Sequence, residues 1–353
     1  MNKKNDAKFN GKTIYQSGFG LVEIMVALVI GLFLMTGVVE IFIGSKTTYK
    51  TTYNSSRIQE NGRLAMELLS RDLRMAGYRG CLRSSMPVTN TLNNATSFNW
   101  NLDQDMQGFN ASGTTWSPAL PSEISSLQML PGTDVITVRT IDSEDIYVTG
   151  QPSNQPACTP SVSSTADLKV TNNNFLKDDD IVLVSNCQHA AIFQITNFNT
   201  QENVVHNAGN TIVPGNSTKD LGGCLIGGEM MKISTKTYFI RTGSSGRPAL
   251  WRRVATDSAQ ELVEGVENMQ ITYGIDSTGD RQANQYTTAD TVNTNNWWPN
   301  VVSIRVSLLL QSIDDRITTQ TQSYNYNAQS ITATDRRLRQ VFNTLISVRN
   351  RLP

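Results

Sequence analysis

Histidine and cysteine are scarce. Two histidines and four cysteines in 353 residues leave little material for a metal enzyme, whose sites draw mainly on those side chains. Charge is scarce too: Asp, Glu, Lys and Arg make up 17%, where about a quarter is usual for a soluble domain. The 30 basic and 30 acidic residues balance, so no basic excess argues for nucleic-acid binding, which calls for a clustered positive stripe. No GxSxG, HExxH or P-loop pattern occurs, which removes the common sequence signatures of hydrolases, zinc proteases and nucleotide enzymes. No internal repeat is evident. Ser, Thr, Asn and Gln fill the gap, at about a third of the chain, a mix that suits strand-rich, secreted surfaces. The length allows one large domain or two small ones and is ample for a hydrophobic core.

One feature stands out against these averages. Ile24 to Val39 reads IMVALVIGLFLMTGVV without a charge, and the apolar run extends from Phe19 to Ile43 with only Glu23 and Glu40 interrupting it. A helix needs roughly 20 apolar residues to cross a bilayer core. Lys3, Lys4, Lys8 and Lys12 precede it against Asp6 alone, which predicts a cytoplasmic N-terminus with everything after Ile43 across the membrane. A cleaved secretory signal fits poorly, because a small-residue cleavage site normally follows the apolar run. Here the run continues into Glu40-Ile41-Phe42-Ile43-Gly44-Ser45-Lys46. A simple signal anchor does not explain Glu23: a carboxylate inside the membrane costs roughly 2.5 kcal/mol or more and calls for a partner.

Gln16-Ser17-Gly18-Phe19-Gly20-Leu21-Val22-Glu23 resembles the type IV prepilin processing site. The resemblance implies that a dedicated membrane peptidase cuts after Gly18 and methylates the new N-terminus at Phe19. Glu23 is then the fifth mature residue, where that family carries a glutamate. The chemistry fits, since cleavage creates an ammonium at Phe19 one helical turn from Glu23 at i+4. An ion pair in low dielectric offsets the burial cost of both groups, and by resemblance Glu23 also helps register a new subunit against a neighbour's N-terminus.

Beyond the apolar run, Ala65, Leu68, Leu69, Leu73 and Ala76 follow helical spacing, and Glu67 and Arg71 form an i,i+4 pair. Gly77 and Gly80 are stop signals. One helix is therefore predicted from Phe19 to about Ala76, some 58 residues and roughly 87 Å at 1.5 Å per residue. The Thr/Tyr/Asn/Ser stretch at Thr47–Ser56 is weakly helical, and a bend or partial melt is expected there. Residues Ser84–Pro131 read as irregular, with short elements at best. Strands are predicted at Asp134–Thr140, Asp180–Ser185, Ala191–Thr196, Met231–Ile240, Ala249–Arg253, Val266–Ile275 and Val301–Leu310, with a turn at Gly243–Gly246. Ser277–Asn296 reads as a long exposed loop. The tail from Asp335 is mixed: Leu338, Val341, Phe342 and Leu345 suit a helix, while Phe342, Ile346 and Val348 suit a strand.

Gln59–Arg63, Ser70–Cys81, Val182–Cys187, Ile192–Thr196, Val266–Asp276 and Arg349–Arg351 look like the corresponding stretches of PilW-type minor pilins. The resemblance implies an α+β, type IV pilin-like fold, one long N-terminal helix packed on a β-rich globular head. Its divisions would be a cleaved leader (1–18), a transmembrane or pilus-core helix (19–45), an amphipathic continuation (46–80) and the globular domain (81–353). It implies a structural subunit of a tip complex that primes pilus assembly, not an enzyme, and no cofactor. The implied partners are the prepilin peptidase, other minor pilins, the major pilin, the inner membrane and a possible tip adhesin. The implied locations are the inner membrane and then the pilus tip at the cell surface, where pili serve twitching or adhesion. The J-type pseudopilin of type II secretion shares the layout, and a signal-anchored periplasmic protein is the alternative from another class.

Cys81, Cys158, Cys187 and Cys224 form an even set in a chain read as exported, so disulfides are expected, with three possible connectivities. CxxC-type zinc spacing is absent. His189 and His206 are expected on the surface. Asp178-Asp179-Asp180 is expected to form a turn before the Ile181 strand, and Asp276-Ser277-Thr278-Gly279-Asp280 fails EF-hand spacing. Arg336, Arg337, Arg339, Arg349 and Arg351 read as a solvated basic face. Trp297-Trp298-Pro299 reads as core or interface.

Overall fold

The computed structural model describes residues 18, 20–82, 88–151, 166–172 and 175–348. The chain divides into two compact units, Met1–Tyr53 and Asn54–Pro353.

In the first unit the described residues are almost entirely the helix α1, which runs from Leu21 to Arg74 and so continues into the second unit. Its apolar side chains here are exposed, Phe33 at 76% and Leu34 at 68%. The helix is long and apolar enough to cross a membrane. The bend expected at Thr47–Ser56 is not found, and the backbone is helical throughout. Thr36 and Thr47 donate their hydroxyls to the carbonyls of Leu32 and Ile43, both at 2.9 Å. These back-bonds satisfy the hydroxyls within the helix.

In the second unit α1 buries Asn54, Ile58, Gly62, Ala65, Leu69, Asp72 and Leu73, a stripe at helical spacing. The helix ends two residues before the expected Ala76. Gly77 then takes φ +71° and donates its N–H to the Arg139 carbonyl at 3.2 Å. A side chain there would meet the Asp105 carboxylate, so both conformation and space require glycine.

The first of two main sheets contains β1 (Val88–Asn90), β2 (Met106–Ser112), β3 (Thr115–Ser117), β4 (Val135–Gly150), β5 (Asp167–Val170), β6 (Ile181–Ser185), β7 (Ala190–Gln194), β8 (Asn197–Thr200), β9 (Asn203–Val205), β10 (Glu229–Thr242), β11 (Pro248–Val254) and β12 (Gln260–Glu264). Its main order is β1-β7-β6-β10-β4-β5-β9-β8; β11 and β12 branch from β10, and β2 and β3 from β4. The expected pairing around Cys187 is the antiparallel β6–β7 pair, Ile181 opposite Gln194 through Ser185 opposite Ala190. The expected Gly243–Gly246 turn joins β10 to β11, Thr242 opposite Pro248.

The second sheet has the order β14-β13-β15-β18, from β13 (Val266–Ile275), β14 (Gln285–Thr287), β15 (Val301–Gln311) and β18 (Arg339–Ser347). A separate hairpin pairs β16 (Ser323–Tyr326) with β17 (Gln329–Thr332). One correction and one settled alternative belong here. Ser277–Asn296 is not one long loop, because it holds β14 and a short helix at Ala289–Thr294 that buries Ala289 and Val292. The tail is a strand rather than a helix, since Arg339–Ser347 pairs with β15 along its whole length. The region 84–131 carries only short elements where it is described, as expected.

A single core joins α1 to both sheets, with Leu69 and Leu73 of the helix among Ile136, Tyr238, Tyr273 and Ile304. Asp134 ties the sheets directly. Its carboxylate accepts the Ala111 and Ile271 N–H groups, both at 2.8 Å, and its own N–H donates to the Met269 carbonyl. Trp298 is buried edge-on against Tyr273, with ring centroids 5.1 Å apart, as the core reading of that tryptophan expected.

A candidate processing and assembly site

Gly18 is exposed, and among the described residues no atom beyond its chain neighbours comes within 4 Å of where a Cβ would stand. It lies just outside the start of α1. Phe19 and the leader residues before Gly18 lie outside the described residues. Gly20 is the residue that enters the helix: its carbonyl accepts the Glu23 and Ile24 N–H groups at 3.0 and 3.2 Å. In return its N–H donates to Glu23 Oε2 at 3.0 Å. This is the carboxylate half of a capping box, with the acid three residues into the helix reaching back to the cap amide. It also places a negative charge at the positive end of the helix dipole. The Glu23 carboxylate is therefore held at the helix mouth, on the amide adjacent to residue 19. Sequence reasoning placed Glu23 beside Phe19 but missed its capping of Gly20. The signal was available in the three-residue spacing.

A second cluster fixes α1 on the head. Asp72, in the buried stripe, receives the Tyr238 hydroxyl at 2.5 Å and Lys236 Nζ at 3.2 Å, and Asp142 lies 3.8 Å from the same ammonium. Burial and the Asp72 carboxylate both push the Tyr238 phenol above its ordinary pKa, so it stays a donor. Nothing in the local pattern around Asp72 announces partners on a strand 164 and 166 residues away.

Cys81 is disulfide-bonded to Cys187 across 106 residues of chain. Cys224 is disulfide-bonded as well, and Cys158 lies outside the described residues. Cys187 is therefore no nucleophile for a neighbouring histidine. His189 is exposed, as expected. His206 is not: it is fully buried, 4.9 Å from the Phe193 ring, with Nε2 on the Lys219 carbonyl at 3.3 Å and Nδ1 unpartnered. Burial lowers its pKa to about 4. The asparagines flanking this stretch suggested a surface site, but His206 lies two residues beyond the buried Val204 and on the same side of the strand.

Two of the tail arginines depart from expectation, while Arg336 is exposed as expected. Arg337 and Arg339 are buried. Arg339 pairs with Glu267 at 2.7 Å and Asp335 at 2.5 Å, and Arg337 binds the Ser312 carbonyl. They pin the chain entering β18 rather than form a solvated face. Arg349 and Arg351 lie outside the described residues. Asp178 and Asp179 do form a turn, with Asp180 paired to Lys232 at 2.5 Å. Asp276 folds its carboxylate back on the Thr278, Gly279 and Arg281 N–H groups. Those backbone donors outweigh burial and lower its pKa. The described residues contain no cluster of three potential metal ligands.

Two family models match the chain. Residues 14–39 match the prokaryotic N-terminal methylation motif, and residues 237–350 match type IV pilus-assembly protein W. The first spans Gly18, Phe19, Glu23 and most of the apolar run. The second begins within β10 and runs through β18. The stretches at Gln59–Arg63, Ser70–Cys81 and Val182–Thr196 that resemble the same family fall outside both matches. No curated protein and no solved structure matches the chain. A methylation motif heading a membrane-competent helix and a PilW-type region closing a β-rich head support a type IV pilus-related, pilin-like protein.

Proposed function

We propose that the chain is a minor pilin whose leader, residues 1–18, is removed by the prepilin peptidase between Gly18 and Phe19, with N-methylation of Phe19. It is the substrate of an enzyme, not an enzyme itself. The observation that carries this reading is the Glu23 carboxylate seated at the mouth of an exposed apolar helix, two residues beyond the helix start, in a chain stretch in which Gly18 is exposed. Before cleavage Glu23 caps its own helix. After cleavage the ammonium of Phe19 lies at i+4 and offsets the cost of carrying that carboxylate into lipid or into a helix bundle.

In this reading residues 19–45 anchor the chain in the inner membrane with the head outside, then pack against the helices of other pilins. Residues 46–80 carry the helix onto the head, and 81–353 form the domain that meets other minor pilins in a tip complex priming the major pilin. Mass spectrometry of the membrane-extracted protein tests the processing step. It should give N-methyl-Phe19 as the N-terminus; an intact Met1, or a cut beyond Gly44, would sink the proposal.

A further inference from the structure

Sheet edges expose backbone N–H and C=O groups that another strand can pair with, and proteins blunt them with short strands, bulges or charges. Most edges of this head are blunted in those ways. β1, β3 and β14 have three residues each. β8 has four, with a register shift between Phe198 and Thr200. β12 has five and carries Glu261 and Glu264.

β18 is the exception. It has nine residues and pairs with β15 without a register shift. From Gln340 to Ser347 it holds no charge and no proline. Its outward row follows from the ladder. Arg339 directs its N–H and carbonyl away from β15, where the Gln322 side chain meets both at 2.7 and 2.9 Å. At the far end Val348 N–H bonds to the Val302 carbonyl. Alternation along an antiparallel strand then points the backbone groups of Val341, Asn343 and Leu345 away from β15. Among the described residues none of these groups has a hydrogen-bond partner. Gln322 caps only the first position of the row. Leu345 is 54% exposed, and Asn343 is exposed beside it.

We infer that β18 is a docking edge that takes an extended segment of a neighbouring pilin by strand addition. Backbone pairing along three successive outward positions would supply the affinity, and uncharged side chains beside Val341 and Leu345 the selectivity. The strand is tied to the part of α1 that carries the head, because Phe342 packs on Gly62. It also lies wholly inside the PilW-type region. The occupant, a pilin, rests on the function proposed above; the open edge does not.

The test uses the full chain in a piliated host. Leu345→Lys guards the edge at an exposed position. Asn343→Pro removes an N–H that makes no internal bond. A photo-crosslinking p-benzoylphenylalanine at position 345 reports the occupant. Both variants should keep the parental melting temperature within a few degrees and carry N-methyl-Phe19, yet lower surface pili at least tenfold. The crosslinker should trap another pilin, with the joined peptide mapping to an extended segment. Parental piliation by the folded Leu345→Lys chain overturns the inference, as does a crosslink only to a second copy of this chain. A pilin crosslink from a chain lacking N-methyl-Phe19 would uphold the edge and sink the processing reading.

Discussion

Asp134 and His206 titrate in opposite senses inside the same head. Burial raises Asp134 to about 6 against the ordinary 3.8, outweighing its two accepted N–H bonds. The folded state therefore holds that proton more tightly, and the stability it contributes is full below pH 3.8 and lost as pH rises to about 6. His206 is lowered to about 4 from 6.5. Its contribution is full above pH 6.5 and lost as pH falls to about 4. Each effect is on the order of 3 kcal/mol, so between pH 4 and 6 they nearly cancel. Removing one should expose the other. Asp134→Asn, which also loses about 1–3 kcal/mol by turning an amide NH₂ toward a backbone N–H, should regain stability relative to the parent as pH rises from 4 to 6. His206→Phe should lose it over the same range. Thermal melts of the detergent-solubilised chain at half-unit steps would check this; difference curves flat with pH would refute both assignments.

At the scale of elements, α1 is where the sequence was most legible. Apolar residues at helical spacing announced the buried stripe through Leu73, and alternation announced β10, β13 and β15. The misreadings have physical causes. Thr47–Ser56 is poor in helix formers, but it is flanked by a strong apolar helix and a docked one, and propensity yields to that context. The β18 residues fit both a helix and a strand, and only pairing with β15 decides. The docking contacts were invisible because they join distant parts of the chain. Two predictions follow from them. Asp72→Ala would leave the Tyr238 hydroxyl buried without its carboxylate and Lys236 with only Asp142 at 3.8 Å, a loss of roughly 3 kcal/mol. Asp72→Asn should cost less, because the amide oxygen can still accept from Tyr238. Gly62→Val would drive a side chain into the Phe342 ring, whose carbons stand 2.4–2.6 Å from a built Cβ, for about 1–3 kcal/mol. Chemical denaturation midpoints should fall in the order Asp72→Ala, Gly62→Val, parent; an unchanged midpoint for Asp72→Ala would show that the cluster does not hold the helix.

For the whole molecule, the division at Tyr53/Asn54 separates two kinds of chemistry that one helix connects. Glu23 and the proposed cleavage site lie in the first unit; the Cys81–Cys187 bridge lies in the second and closes a loop of 106 residues between the end of α1 and the β6–β7 turn. Loop-closure entropy makes such a bridge worth roughly 2–5 kcal/mol. Replacing both cysteines, Cys81→Ser with Cys187→Ser, avoids a stray thiol and should lower the melting temperature of the head. N-methyl-Phe19 should still form, because in the proposed processing the peptidase meets Gly18 and the apolar helix rather than the sheets. Glu23→Ala should do the reverse: an unchanged head melt, intact processing and fewer copies incorporated into pili. Crossing the two variants decides whether the units act separately. Additive effects on melting and incorporation are expected for distant, independent sites. If the cysteine pair variant loses N-methylation while its head still melts cooperatively, the head takes part in presenting the cleavage site and the separation fails.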